Sequence, residues 1–235
     1  MQEDYESYYQ DYWNKEFDHR KNIGYYERLY DPFKKKLILK GKKSVLDVGG
    51  GNGHFIHYLG IKNATVVDIS DSGLKFAKKL GYGTIKGDLH KRFPIKEESY
   101  DVAYCFEVLE HLNYPCKTLA EINNVLKKGG VLFIGQPNTP ADGTHHVRRI
   151  YVKDLIDDLY KTGFKIEWVE HVPAFNKWQR DISLIWKTKG FLGKITSLFA
   201  YFLSFLPESL RRFLAYKIPN RFSLLCIVKA KKINK

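Results

Sequence analysis

The chain has 235 residues, 44% of them apolar, and a formal net charge of +13. This length and apolar share support one large α/β domain, alone or with an appendage. The only three cysteines, Cys105, Cys116 and Cys226, lack the spacing of a disulfide framework or a metal site and point to a reducing compartment.

The first thirty residues, with YESYYQDYWNKEF and IGYYERLYD, predict one or two short amphipathic helices, a helical cap over residues 1–35 ahead of the main sheet. No basic, hydrophobic, small-residue leader opens the chain, so the expectation is a protein that is not secreted and works in the cytoplasm. The tyrosines of this segment can close over a ligand or pack on outer helices; the sequence does not choose among Tyr8, Tyr9, Tyr12, Trp13, Tyr25 and Tyr26. Pro32 interrupts or starts a helix, and Phe33 to Leu39 leads into the first strand.

Ser44 to Val48 is an apolar run closed by glycines, the pattern of a short parallel strand buried on both faces. Gly49, Gly51 and Gly53 then form G-x-G-x-G, and a helix is expected from Asn52 or Gly53 with Phe55, Ile56 and Leu59 turned to the sheet. Glycine reaches backbone angles closed to other residues and lets a ligand approach the main chain. The helix start is expected to offer N–H groups to a carboxylate or phosphate. Asp68 ends a second apolar run, Ala64 to Ile69, at a spacing that suits an acid accepting hydrogen bonds from the two hydroxyls of a ribose.

Ser70 to Leu80 reads as a helix capped by Ser70 or Asp71, with Leu74, Ala77 and Leu80 on one side. Gly83 to Lys86 is a short third strand, with Asp88 in the loop after it, and Tyr100 to Cys105 is the fourth strand. Thr118 to Leu126 predicts a helix ended by Lys127, Lys128, Gly129 and Gly130, whose cations meet the negative helix end. Val131 to Gly135 is the fifth strand, a helix runs through Tyr160 to a stop at Gly163, Phe164 to Val172 is an edge or neighbouring strand, and Leu224 to Val228 is the last. Alternating strands and helices predict a right-handed crossover sheet with ligand groups at the strand C-terminal ends.

Taken together, VLDVGGGNGHF, VVDIS, GDLHKRFP, YDVAYCFEVLEHL and LKKGGVLFI resemble, in order and spacing, the class I S-adenosylmethionine-dependent methyltransferases. The resemblance covers most of Lys36 to Val172 and returns at the final strand. It implies a Rossmann-like α/β fold: a seven-stranded, mostly parallel sheet with the last strand antiparallel, and a core of residues 36–172 and 222–235. It implies S-adenosyl-L-methionine as cofactor, with Asp47 and Gly49, Gly51 and Gly53 around the methionine portion and adjacent ribose. Asp68 then holds the ribose hydroxyls, Ile69 packs on adenine, Asp88 and the N–H of Leu89 meet adenine, and the loop from Phe106 to Glu107 passes the cofactor and methyl donor. A nicotinamide dinucleotide is the alternative cofactor, but the loop lacks the extended G-x-G-x-x-G signature.

Methyl transfer needs an acceptor lone pair in line with the carbon–sulfur bond, and a base where the acceptor begins protonated. His111, following FEVLE, is one candidate. His145, His146 and Arg148 form a second group, resembling a family segment over the strand ends. There His146 would accept a hydroxyl proton while Arg148 or Arg149 positions a carboxylate or phosphate. No acid-rich spacing near these histidines resembles a metal-dependent site, so no metal is expected.

Residues 173–221 predict a helical insertion before the last strand, with ITSLFAYFLSFL, Pro207 and the basic run ESLRRFLAYKI. Its apolar surface is broad but shorter than a comfortable span, which favours contact in the plane of a membrane. From Trp178 to Lys235, twelve Lys or Arg stand against Asp181 and Glu208, a local charge of +10 that attracts an anionic membrane, RNA or DNA. The expected partners are a small hydrophobic or lipid-linked metabolite or glycan, methylated on oxygen; the inner face of a membrane; and a second copy docked through the insertion. RNA or protein methylation, and a non-catalytic cofactor-binding scaffold, are the alternatives. No separate RNA-binding module is seen, and FEVLE stands where an amino-methylating N-P-P-Y tetrapeptide would.

Overall fold

The computed structural model describes residues 5–15, 19–41, 43–138, 146–173 and 223–233, together with Leu198, Phe202, Phe205 and Pro207. Seven strands form one sheet in the order β3-β2-β1-β4-β5-β7-β6. They are β1 (Val45–Val48), β2 (Ala64–Asp68), β3 (Gly83–Lys86), β4 (Tyr100–Phe106), β5 (Leu126–Pro137), β6 (Phe164–Pro173) and β7 (Ser223–Lys232). The first five run parallel, and β7 enters antiparallel between β5 and β6. The predicted fold class therefore stands. Most of the insertion lies outside the described residues; Leu198 and Phe202 within it are helical.

The apolar runs become strands because both faces of the sheet are covered. Leu46 and Val48 of β1 join one buried cluster with Leu119 and Ile122 of α6 (Pro115–Val125) and Leu155 and Leu159 of α7 (Val152–Lys161). Val45 joins the other, with Leu29 and Tyr30 of α2 (His19–Tyr30), Phe55 and Ile56 of α4 (His54–Leu59), and Leu74 and Ala77 of α5 (Asp71–Lys79). Alternation along one strand thus feeds two cores. On α5 the N-cap is Ser70, whose Oγ accepts from the Gly73 N–H at 3.2 Å.

One stretch departs from expectation. Helix α6 ends at Val125, and Leu126 is already extended as the first residue of β5. Lys127 to Gly130 form an irregularity in β5, where Tyr100 pairs with Leu126 but Val102 pairs with Val131. Lys127 reaches Asp101 at 3.1 Å instead of the helix end. The cation at the end of α6 is Lys232 of β7, which donates to the carbonyls of Asn123 and Leu126, both at 2.7 Å.

Ahead of β1 the described chain forms α1 (Tyr5–Lys15), α2, a 3-10 turn (Asp31–Phe33) and α3 (Lys34–Leu37). Helix α1 is fastened to the start of α5: Gln10 Oε1 accepts from the Ser72 N–H at 2.9 Å, and Lys86 pairs with both Glu6 and Asp71 at 2.6 Å. No described helix is long and apolar enough to cross a membrane.

Candidate active site

Order reverses between β1 and β4, which opens a crevice at the C-terminal ends of the strands. A cavity of about 650 Å³ lies there, within the usual size of a small-molecule site. Its floor includes Asp47, Gly49, Asp68, Ile69, Asp88, Leu89 and Phe106, and its far side includes Glu107, Glu110, His111 and His146. Tyr5, Tyr8, Tyr9, Tyr12 and Trp13 of α1 and Tyr25 and Tyr26 of α2 wall it. All six aromatics among which the sequence did not choose therefore face one space.

The glycine turn works by conformation and close contact. Gly49, Gly51 and Gly53 have φ of 66°, 51° and 72°, all left-handed. Gly49 lines the cavity, whereas Gly51 lies under Trp13 and Gly53 against Tyr82; a Cβ on Gly51 would stand 2.1 Å from the Trp13 ring. Gly51 instead contributes its N–H, which donates to Asp68 Oδ2 at 2.9 Å, while the Ser70 N–H donates to Oδ1 at 2.9 Å. Part of the expected row of N–H donors for an anion is spent internally. Gly53 N–H donates to Gly50 O at 2.8 Å, and His54 N–H donates to Asn52 Oδ1 at 3.1 Å.

The acids sit in different fields. Burial, with Asp68 nearby, pushes the Asp47 carboxyl up to about 8, and its Oδ2 has no hydrogen-bond partner among the described residues. Burial also raises Asp68, against the pull of the N–H groups of Ser70, Gly51 and Ile69. At Asp88 burial is outweighed by the N–H and ring of His90 and by Lys91, and the carboxyl lies below its ordinary range. Thr118 Oγ1 donates to Leu89 O at 2.9 Å and fixes that loop.

Phe106 stacks on Phe55 with ring centroids 4.0 Å apart and lies flat over Gly135, where a Cβ would come within 2.2 Å of its ring. Gly135→Ala is accordingly expected to cost about 1–3 kcal/mol of stability and to push Phe106 off the cavity wall. Denaturant titration checks the first effect, and cofactor affinity the second.

Beyond Phe106 are two acids, Glu107, expected in the loop beside the cofactor, and Glu110, which the sequence does not single out. Glu107 has φ of 56°, rare for a side chain of its size, and accepts from the Tyr25 hydroxyl at 2.9 Å and the Tyr30 hydroxyl at 2.8 Å. Glu110 is buried, which pushes its carboxyl up to about 8, and it accepts from Gln136 Nε2 at 3.3 Å. The signal available was their three-residue spacing after a strand, which also fits an ordinary amphipathic turn. The 3-10 turn Leu109–His111 puts His111 Nε2 3.7 Å from Glu110 Oε1, and His111 and His146 meet with ring centroids 5.0 Å apart.

Glu110, His111 and His146 each bring one ligand atom to within 4.8 Å of the others. The turn after β4 thus adds one acid, Glu110, to the two histidines. The arginines also sit elsewhere than expected. Arg148 donates to the carbonyl of Asn113 and Arg149 to Asn138 Oδ1 at 2.9 Å, and neither lines the cavity. His145 is outside the described residues.

Residues 46–134 match the family model described as a methyltransferase domain. An S-adenosylmethionine-dependent methyltransferase from Mesorhizobium loti superposes with a TM-score of 0.57 at 17% identity, over 86% of this chain and 97% of that one. The fold is that of the class I S-adenosylmethionine-dependent methyltransferases. By sequence, the chain is 34% identical over 142 residues to the uncharacterized protein MJ0638 of Methanocaldococcus jannaschii, covering 59% of this chain and 62% of that one. It is 33% identical over 105 residues to the ubiquinone biosynthesis O-methyltransferase of Saccharophagus degradans, covering 41% of this chain and 44% of the relative. The chain thus spans less than two thirds of the length of these two sequence relatives.

Proposed function

We propose that the protein transfers a methyl group from S-adenosylmethionine to an oxygen of a small, hydrophobic acceptor. One observation carries this: the floor of strand-end acids opens directly into an aromatic chamber that holds His111, His146 and Glu110. The similarity to a ubiquinone biosynthesis O-methyltransferase supports oxygen as the accepting atom.

The residues fit the cofactor. Asp47 offers a buried oxygen without a partner, suited to an ammonium group. Asp68 is fixed from behind by two N–H groups and lines the cavity, where it is suited to a pair of ribose hydroxyls. Ile69 and Leu89 give apolar surface for adenine, with Asp88 beside them. When bound, S-adenosylmethionine supplies an electrophilic methyl group on a sulfonium sulfur. The tyrosines of α1 and α2 exclude water from the chamber. His146 takes the acceptor's hydroxyl proton on a ring nitrogen, with His111 and Glu110 beside it. Arg148 acts as a positioning residue, tying the segment that carries His146 to Asn113.

Thermal shift with S-adenosylmethionine, S-adenosylhomocysteine and NAD tests the cofactor. The first two are expected to raise Tm by several degrees and NAD to leave it unchanged; the reverse order would overturn the assignment. His146→Asn should lower methyl incorporation into small molecules about a hundredfold while S-adenosylhomocysteine affinity stays within threefold. Equal losses of both would make His146 a structural residue.

Leu198, Phe202 and Phe205 are exposed at helical spacing within the basic segment. Such residues support presentation of a lipid-linked acceptor at an anionic membrane. Deleting residues 195–217 should abolish sedimentation with anionic liposomes, and unchanged binding by the folded deletion variant would count against it.

A further inference from the structure

The charge of the chamber runs against that of the chain. In a protein of formal charge +13, the described cavity wall carries five acidic side chains, Asp47, Asp68, Asp88, Glu107 and Glu110, and no Lys or Arg. Three of them stand on the nucleoside side, where the cofactor, with its sulfonium, ammonium and carboxylate, brings a single net positive charge. Glu107 and Glu110 are left on the acceptor side with histidines as their nearest basic neighbours in the wall.

Glu107 is presented with unusual care. Its backbone is held at φ of 56°, its N–H donates to Gly135 O at 2.8 Å, and the Tyr25 hydroxyl reaches both carboxylate oxygens at 2.9 Å. Tyr30 adds a third contact at 2.8 Å. A strained, over-determined residue at a cavity wall marks a position kept for a ligand. Near it stand the rings of Tyr25, Tyr26 and Phe106, a type of surface that attracts cations. Burial raises both Glu107 and Glu110 and favours their neutral forms, and a cation docked beside Glu107 would draw its carboxyl back to the charged form.

We propose that the acceptor is a small organic cation whose protonated amine docks on Glu107 inside the tyrosine wall. This rests on the methyl-transfer reading above and names its substrate class: a hydroxyl compound that also bears an amine. An acceptor carrying a carboxylate or phosphate is repelled, the opposite of what Arg148 and Arg149 would favour if they faced the cavity.

The test uses the full chain saturated with S-adenosylhomocysteine and three probes that share one ring and one pair of hydroxyls: dopamine, catechol and protocatechuate. Calorimetry should give dopamine at least a tenfold tighter Kd than catechol, and protocatechuate a weaker one than catechol. Glu107→Gln should reduce the dopamine advantage below threefold while S-adenosylhomocysteine affinity holds, and Tyr25→Phe should give an intermediate value. Equal or reversed order among the probes on the unaltered protein, absence of dopamine binding, or an advantage that survives Glu107→Gln in a folded variant overturns the proposal. Failure of S-adenosylhomocysteine itself to bind would instead overturn the methyl-transfer reading.

Discussion

Asp68→Ala is expected to weaken S-adenosylhomocysteine binding by at least about a hundredfold, equivalent to about 2.7 kcal/mol. Two losses add. The first is the proposed pair of hydrogen bonds from the ribose to a carboxylate, each of the charged kind that is worth about 1.5–3 kcal/mol. The second is internal: without Asp68 the N–H groups of Gly51 and Ser70 lose their acceptor, and the turn that shapes the cofactor floor loses the tie between β1 and β2. Asp68→Asn keeps one carbonyl oxygen, so about a tenfold loss is expected from it. Calorimetric titration of both variants, with circular dichroism to establish folding, separates the two terms. Binding unchanged in either variant would remove Asp68 from the site.

The second large effect is on stability without cofactor, which should fall as pH rises from 5 to 8. Asp47 and Glu110 are both held near 8 in the fold, whereas an unfolded chain ionises them near 4. Between those values the folded state keeps protons that the unfolded state has released, so each unit of pH costs roughly 1 kcal/mol for each group. The stabilisation is complete below pH 4 and exhausted above 8. His171, lowered chiefly by burial, works in the opposite sense below about 6.5, so the decline is steepest above that point. Asp101 is held at about 2 by the Ser44 N–H and so matters only in acid. Urea titrations at pH 5, 6, 7 and 8 measure the slope, and Asp47→Asn or Glu110→Gln should flatten it. Cofactor binding, by bringing positive charge to Asp47, should release protons above pH 6.

The sheet was legible because most of its strands, β1, β2, β4, β5 and β6 among them, are apolar runs closed by glycine, proline or acid. The floor was legible for a related reason: acids such as Asp47 and Asp68 interrupt or end an apolar alternation and have no packing role to explain them. The far side was legible only in part: His111 and His146 stand out as titratable groups beside the strand ends, but the facing of the acids next to them does not. Glu107 and Glu110 occupy places where a charged residue on a surface turn is unremarkable, and only the arrival of Tyr25 and Tyr30, more than seventy residues earlier in the chain, shows where they face. Arg148 and Arg149 misled because neighbours in sequence point to different partners once the loop is fixed. Lys127 to Gly130 misled because two lysines and two glycines after a helical pattern look like a helix stop, while the register shift of β5 depends on pairing with β4.

The position of β7 has a consequence for synthesis. Strand β6 touches no strand except β7, and β5 has its second edge covered by it. At about 5–20 residues per second, a nascent chain waits several seconds between finishing β6 and making its partner. During that interval an edge twelve residues long, Leu126–Pro137, stands open and prone to pairing with other polypeptides. Chaperone dependence should therefore concentrate in that window, and slowing translation across residues 174–222 should lower soluble yield more than slowing it anywhere earlier.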